Sequence, residues 1–114
     1  MTEDALHAAV AQLLDVALLP PVVWTAFPAG GGGAARGGRL KHLGLKAGFP
    51  DIFLIHHGHT FGIELKTAKG RLLPSQKIMH PILEGAGMRI AVCRSVDDVL
   101  AALRGWGLPL RGMT

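Results

Sequence analysis

The fold of this chain is decided by residues 48–67, which read Gly-Phe-Pro-Asp-Ile-Phe-Leu-Ile-His-His-Gly-His-Thr-Phe-Gly-Ile-Glu-Leu-Lys-Thr. Two runs rich in β-branched and aromatic residues, Ile52 to His56 and Thr60 to Thr67, flank a Gly58-His59 break. This pattern predicts a β-hairpin with a two-residue loop, in which His57 pairs with Thr60.

The predicted hairpin brings two carboxylates and a lysine to one face of the sheet. In this register Asp51 lies opposite Lys66, and Glu64 is the diagonal neighbour of Asp51. Because side chains alternate with period two, any loop of even length keeps the three together, whereas an odd-length loop would separate the carboxylates. Two carboxylates about 4 Å apart repel by roughly 4 kcal/mol at an effective dielectric of about 20. A divalent cation such as Mg²⁺ or Mn²⁺ would remove this conflict, and Lys66 would be free to orient or polarise the attacking water.

Charge is distributed unevenly along the chain. Between Asp15 and Glu84 the only acidic residues are Asp51 and Glu64, whereas eight of the twelve Lys and Arg residues fall in that span. The net charge of +4 favours a polyanionic partner, although charge alone does not prove one. A cationic segment around two isolated acids suits nucleic-acid phosphates with metal chemistry at the centre. Lys66 and Lys77 are two of the eight, and the other six are the predicted nucleic-acid-binding residues: Arg36, Arg39, Lys41, Lys46, Lys69 and Arg71.

Composition predicts one small globular domain covering residues 1–114. The chain has a mass of 12.0 kDa and is 49% apolar, which suffices for a single core. Its one cysteine, Cys93, leaves no internal disulfide and no Cys-based zinc set. No apolar run reaches the length of a membrane span, and the acidic start is unlike a signal peptide, so we expect a cytoplasmic protein without membrane contact.

The histidines give no pattern typical of a metal site. His56, His57 and His59 lie on the predicted turn and alternate faces with no fourth ligand, so we interpret them as solvated. His7, His42 and His80 are scattered along the chain.

The remaining segments predict the order helix, strand, loop or short helix, two hairpin strands, helix, strand, helix. Thr2 caps the first helix, and Pro74 and Ser95 open the last two, with Pro81 expected to bend or shorten the first of these. Residues 28–38 are glycine-rich and predict a flexible loop, either a mobile arm that settles on nucleic acid or a solvated segment. That loop lacks a Gly-Lys-Ser/Thr ending, which argues against a nucleotide cofactor. The apolar tail from Trp106 onward is expected to pack on the core or on a second subunit.

An ordered series of motifs resembles the VRR-Nuc family of the PD-(D/E)xK nuclease superfamily. The resemblance runs from about residue 27 to residue 103 and departs at Leu73, where a serine is expected before the proline. The series consists of Gly48-Phe49-Pro50-Asp51, Ile63-Glu64-Leu65-Lys66, Gly70-Arg71-Leu72 with Gln76, and Gly87 before an apolar strand.

The resemblance implies a restriction-endonuclease-like core and assigns roles to residues of the hairpin and the helix after it. Asp51 and Glu64 would hold the metal together with the backbone carbonyl of Leu65. Lys66 would be the catalytic lysine and Gln76 an active-site helix residue.

Glu3 is in phase with the inward stripe of the first helix. Two interpretations stay open: an N-terminal residue that remains in water, or a further acidic group that points into the site, as the first-helix glutamate does in the family.

These observations predict an α/β fold with a mixed central sheet flanked by helices, and a metal-dependent DNA endonuclease. By resemblance, stand-alone members act on branched DNA such as four-way junctions, and one site per chain makes a symmetric homodimer attractive. Two alternatives are a non-catalytic nucleic-acid-binding module and a nuclease subunit that needs partner proteins.

Overall fold

The computed structural model describes residues 1–27 and 33–112, and for residues 33–37 it describes the backbone alone. Over this part of the chain, helices and strands follow the predicted order. Their bounds are α1 (Glu3–Ala17), β1 (Val23–Ala26), α2 (Gly33–His42), β2 (Ile52–His56), β3 (His59–Leu65), α3 (Pro74–Gly85), β4 (Arg89–Cys93) and α4 (Val96–Gly105). Within residues 1–27 and 33–112, no helix combines the length and apolar character needed to cross a bilayer.

The strands form a mixed sheet in the order β1-β2-β3-β4. β1 pairs with β2 and β2 with β3 in antiparallel fashion, whereas β3 and β4 run parallel. A parallel neighbour requires a crossover connection, and α3 provides it between β3 and β4. The predicted α/β fold with a mixed central sheet is therefore confirmed.

Helices cover both faces of the sheet. One face carries the apolar side chains of β2 and β3, which form the core together with the buried stripes of α1 and α4. On the opposite face, α3 places buried Gln76 and His80 against Glu64 of β3. The core consists mainly of Leu6, Val10, Leu14, Ile52, Leu54, Phe61, Ile63, Leu65, Val99 and Leu103.

The hairpin turn lies one residue earlier than predicted. His56 pairs with His59, so the two loop residues are His57 and Gly58, with φ values of 50° and 81°. A type I′ turn needs positive φ at both positions and favours glycine at the second, which the predicted Gly58-His59 loop would not supply. Paired positions consequently shift by two residues, and extending the ladder beyond Ile52↔Ile63 sets Asp51 opposite Glu64 rather than Lys66. An even shift keeps every side chain on its predicted face.

The predicted glycine-rich loop is wrong over residues 33–38, because α2 spans Gly33–His42; residues 28–32 lie outside the described residues. Glycine costs about 1 kcal/mol per residue in a helix, so propensity argues for a loop. The segment is helical nevertheless; half-buried Leu40 lines a cleft, and its carbonyl accepts a hydrogen bond from Leu45 N–H at the end of the helix. The short helix expected near residues 40–45 is the end of this longer one.

Two expectations for the C-terminal half are settled by packing. Helix α3 runs through Pro81 to Gly85, so the proline does not shorten it. Both Pro81 and Lys77 are exposed, so water can satisfy the Lys77 carbonyl that loses its helical bond.

The apolar tail packs on this chain's own core: Leu108 and Leu110 are buried, and Trp106 lies 4.9 Å from Phe61 between ring centroids.

Candidate active site

Asp51 sits at the point where the β2–β3 ladder ends. Its carbonyl accepts a 2.8 Å hydrogen bond from Phe27 N–H, and its Oδ2 accepts a 2.7 Å bond from Leu65 N–H. The carboxylate thus takes the place of a backbone acceptor beside β3, which fixes its position relative to the next residues of that strand. Charge-assisted bonds of this kind are stronger than neutral ones.

Glu64 is the most deeply buried acidic side chain of the site, with 1% exposure. Gln76 Nε2 donates a 3.1 Å bond to Glu64 Oε2, and Lys66 Nζ lies 3.9 Å from the same oxygen. The other oxygen, Oε1, has no hydrogen-bond partner among the described residues. Burying a carboxyl oxygen without a hydrogen-bond partner costs free energy, and a ligand bound at Oε1 would reduce this cost.

The surroundings of Glu64, including the neighbouring Asp51 carboxyl, disfavour its ionisation. Burial raises the pKa of Glu64 to about 8, and the negative charge of Asp51 acts in the same direction. Lys66 lowers this pKa, but the raising effects prevail. Without a metal, Glu64 therefore holds a proton near neutral pH that a bound cation would displace.

Gln76 performs two structural tasks at the start of α3. Its Oε1 accepts a 2.7 Å bond from Leu73 N–H, which closes the helix N-terminus, while its Nε2 holds Glu64. Leu73, in the N-cap position, offers no side-chain bond of its own. The amide is suited to both tasks because it carries an acceptor and a donor at once.

Two histidines interpreted as scattered in fact converge on the carboxylates. His80 Nε2, buried and without a hydrogen-bond partner among the described residues, lies 3.4 Å from Glu64 Oε1. His7 Nε2 lies 3.9 Å from Asp51 Oδ2 and 3.9 Å from Glu3 Oε1. Burial lowers the pKa of His80, which favours its neutral form.

The signal for both histidines was their spacing. His80 is four residues after Gln76 and His7 four residues after Glu3, so each shares a helix face with a predicted site residue.

The acids and Lys66 line a cleft of about 590 Å³. Glu3 lines it at the N-terminus of α1 with a largely exposed side chain, close enough to raise the Glu64 pKa further, so it is both in water and at the site. Lys41 and Lys46 also line the cleft.

The other predicted nucleic-acid contacts lie outside the cleft lining. Arg39, Lys69 and Arg71 are exposed, and the side chain of Arg36 lies outside what the structure describes. The turn that carries Lys69 is held by Arg94, whose Nη1 donates to the carbonyls of Thr67 and Gly70 at 2.8 and 2.5 Å.

The model of the VRR-NUC domain family matches residues 23–97, which include the hairpin, the cleft lysines and α3. The chain belongs to the VRR-NUC domain family. A solved structure titled "VRR_NUC domain protein" superposes with a TM-score of 0.70 at 21% identity, covering 96% of this chain and 91% of that one. This likeness supports the restriction-endonuclease-like arrangement of the fold. Comparison with curated proteins gives no match.

Membership in the VRR-NUC family places the chain among nuclease-type domains, and the matched residues include Asp51 and Glu64. Within the described residues, no three His, Cys, Asp or Glu side chains cluster so that they alone would hold a metal ion. Two adjacent carboxyls with one unsatisfied oxygen nevertheless fit a hard cation that takes its remaining ligands from water and phosphate. The donor set is therefore compatible with a divalent metal.

Proposed function

We propose that this VRR-NUC chain is a divalent-metal-dependent endonuclease that hydrolyses DNA phosphodiester bonds. The observation that carries the proposal is the buried Glu64 carboxyl beside Asp51, with a raised pKa and an unpartnered oxygen, in a cleft lined by lysines. A binding module has no use for two carboxyls that repel both each other and phosphate.

Asp51 and Glu64, with the Leu65 carbonyl as the family resemblance implies, would hold Mg²⁺ or Mn²⁺. Such an ion, when bound, polarises the phosphoryl group and lowers the pKa of water.

The chain's own residues would bind and orient the substrate. Lys66, largely buried next to Glu64, would place a positive charge where the phosphate and the attacking water meet. Gln76 would keep Glu64 in position through its amide. The basic residues on α2, on the segment after it and on the Thr67–Arg71 loop would neutralise backbone phosphates on either side of the cut.

Branched DNA, such as a four-way junction, is the substrate class we propose from the family resemblance. The described chain presents one such site, so cutting both strands symmetrically would require a two-fold dimer. Sedimentation analysis at micromolar concentration tests the dimer directly; a species of 12.0 kDa, the mass of one chain, would rule it out.

The decisive experiment compares linear, nicked, flapped and four-way DNA with Mg²⁺, Mn²⁺ or EDTA. Asp51→Asn removes the charge but keeps an acceptor for Leu65 N–H, and Lys66→Met keeps the buried aliphatic stem. Both variants are expected to bind DNA and to cut it at least about 100-fold more slowly. Asp97→Asn, an exposed acid on α4, is the matched control.

Equal, metal-independent behaviour of wild type and variants would instead establish a binding module. Cleavage that appears only after adding a cellular fraction would favour a subunit with partners.

A further inference from the structure

Part of the cleft lining is an apolar wall that binding of a metal or a phosphate would not require. Besides acids and lysines, the cleft lining includes the apolar side chains of Phe27, Leu40, Leu45 and Phe49. All four are half-buried, so each keeps surface open to the cleft. Its volume of about 590 Å³ falls within the range of roughly 300–1,000 Å³ typical of small-molecule sites, more than a hydrated cation needs.

The two phenylalanines are tied to the metal-binding acid through the backbone. Phe27 N–H donates to the Asp51 carbonyl at 2.8 Å, and Phe49 precedes Asp51 by two residues. Phe53 joins the rings, 4.5 Å from Phe27 edge-on and 6.0 Å from Phe49 in a stacked arrangement with planes 19° apart. The backbone of Phe27 and Phe49 is therefore positioned next to Asp51, and their rings contact Phe53.

Gly48 fixes the segment that carries Phe49. With φ at 91° it adopts a conformation that other residues rarely take, and a Cβ there would lie within 3 Å of both the Ser75 carbonyl and the Met79 side chain. This close approach holds the segment against α3.

An aromatic and aliphatic wall beside a phosphate-binding cluster has the chemistry of a nucleotide site. Every nucleobase has a π-face that stacks on aromatic rings, and this interaction is tolerant of sequence. A base inside a continuous duplex is already stacked on both sides, whereas a base at a branch, gap or mismatch is free to enter.

We propose that this wall receives one unstacked nucleobase next to the scissile phosphate, so that the enzyme selects DNA in which that base is unpaired. The inference rests on the proposed nuclease function and deepens it, because it supplies a physical reason for structure selectivity. Lys41 and Lys46, which follow Leu40 and Leu45 in sequence and also line the cleft, would hold the phosphates flanking the inserted base.

The first test removes the base from the substrate. Abasic residues are placed singly at the positions flanking the mapped cut in a flapped or four-way substrate. For wild type, one position is expected to lower the cleavage rate about 5- to 150-fold, the loss of one stacked base. Phe49→Ala and the milder Phe49→Leu should cut the normal and abasic substrates at equal rates, whereas Val23→Ala, exposed on β1, should keep the difference.

The second test does not depend on cleavage. In EDTA, 2-aminopurine is scanned along a single-stranded and a fully paired oligonucleotide, and its fluorescence is followed as protein is added. A change at unpaired positions with wild type and Val23→Ala, reduced with both Phe49 variants, supports the base site. No change at any position, with binding confirmed by anisotropy, overturns it.

The two tests separate the proposals. No cleavage of any substrate with either metal refutes the nuclease, and the fluorescence experiment still decides whether the wall binds a base. Cleavage that is indifferent to abasic residues refutes the base site alone. Melting temperatures of the Phe49 variants within a few degrees of wild type establish that loss of binding is not loss of folding.

Discussion

Glu64 is a single residue whose surroundings favour its neutral form. Its pKa rises from 4.5 to about 8 on folding, mainly through burial. In the unfolded chain it ionises near pH 4.5, so the folded state loses stability as pH rises from there to about 8, and no further above that. Burial lowers the pKa of His80 from its ordinary value of 6.5, so this residue changes the free energy of unfolding only at pH values below about 6.5.

We therefore expect the metal-free protein to be less stable at pH 8.5 than at pH 7.0. The difference assigned to Glu64 is about 1 kcal/mol over this interval, as the folded-state proton is lost. Chemical denaturation in EDTA measures it, with Glu64→Gln as the comparison, since a neutral amide should flatten the dependence. A variant with the wild-type pH profile would show that Glu64 ionises at its ordinary pKa in the fold.

At the scale of residues, the sequence predicted the charged residues of the site but not the histidines that lie beside them. Asp51, Glu64 and Lys66 stood out because acids are absent around them and strand parity keeps them on one face. His7 and His80 did not stand out, since histidine is common in both polar and buried settings, and only a prior choice of Glu3 and Gln76 makes their i+4 spacing meaningful.

Helix α3 is the element that holds the site together, and its N-terminus is incompletely capped. Leu73 has the extended N-cap conformation, with φ −70° and ψ 155°, but lacks a polar side chain. Leu73→Ser would add an acceptor for a first-turn N–H and should stabilise the fold by about 1 kcal/mol. Leu73→Ala is the control, because it removes the same 56% exposed leucine without adding a cap.

Thermal or chemical denaturation of both variants measures the cap alone. Serine no more stable than alanine would mean that the Gln76 bond to Leu73 N–H already satisfies the helix end.

At the level of elements, pattern predicted type and order but not the details that depend on turn geometry or tertiary contact. The hairpin register moved by two residues because backbone φ at His57 and Gly58, rather than glycine position alone, selects the turn. Each side chain of the hairpin still lies on its predicted face of the sheet, because a shift of two residues does not change the alternation of side chains. Helix α2 was missed because its glycines lower helix propensity, and propensity was the only signal that this stretch of sequence offered.

At the scale of the whole molecule, we expect DNA affinity to depend on where a lysine lies, because Lys41 and Lys46 line the cleft whereas Lys77 does not. Neutralising phosphates releases counterions, so affinity for duplex DNA falls with salt at a logarithmic slope of about 0.9 per phosphate contact. Lys41→Gln and Lys46→Gln remove cleft lysines, and each should lower the slope by about 1 if that residue meets a phosphate. Lys77→Gln removes the same charge from an exposed position on α3, so its slope should stay at the wild-type value. Anisotropy titrations over a salt series in EDTA give the three slopes without cleavage. Equal reductions in all three variants would mean that binding follows net charge and that the cleft does not direct the DNA.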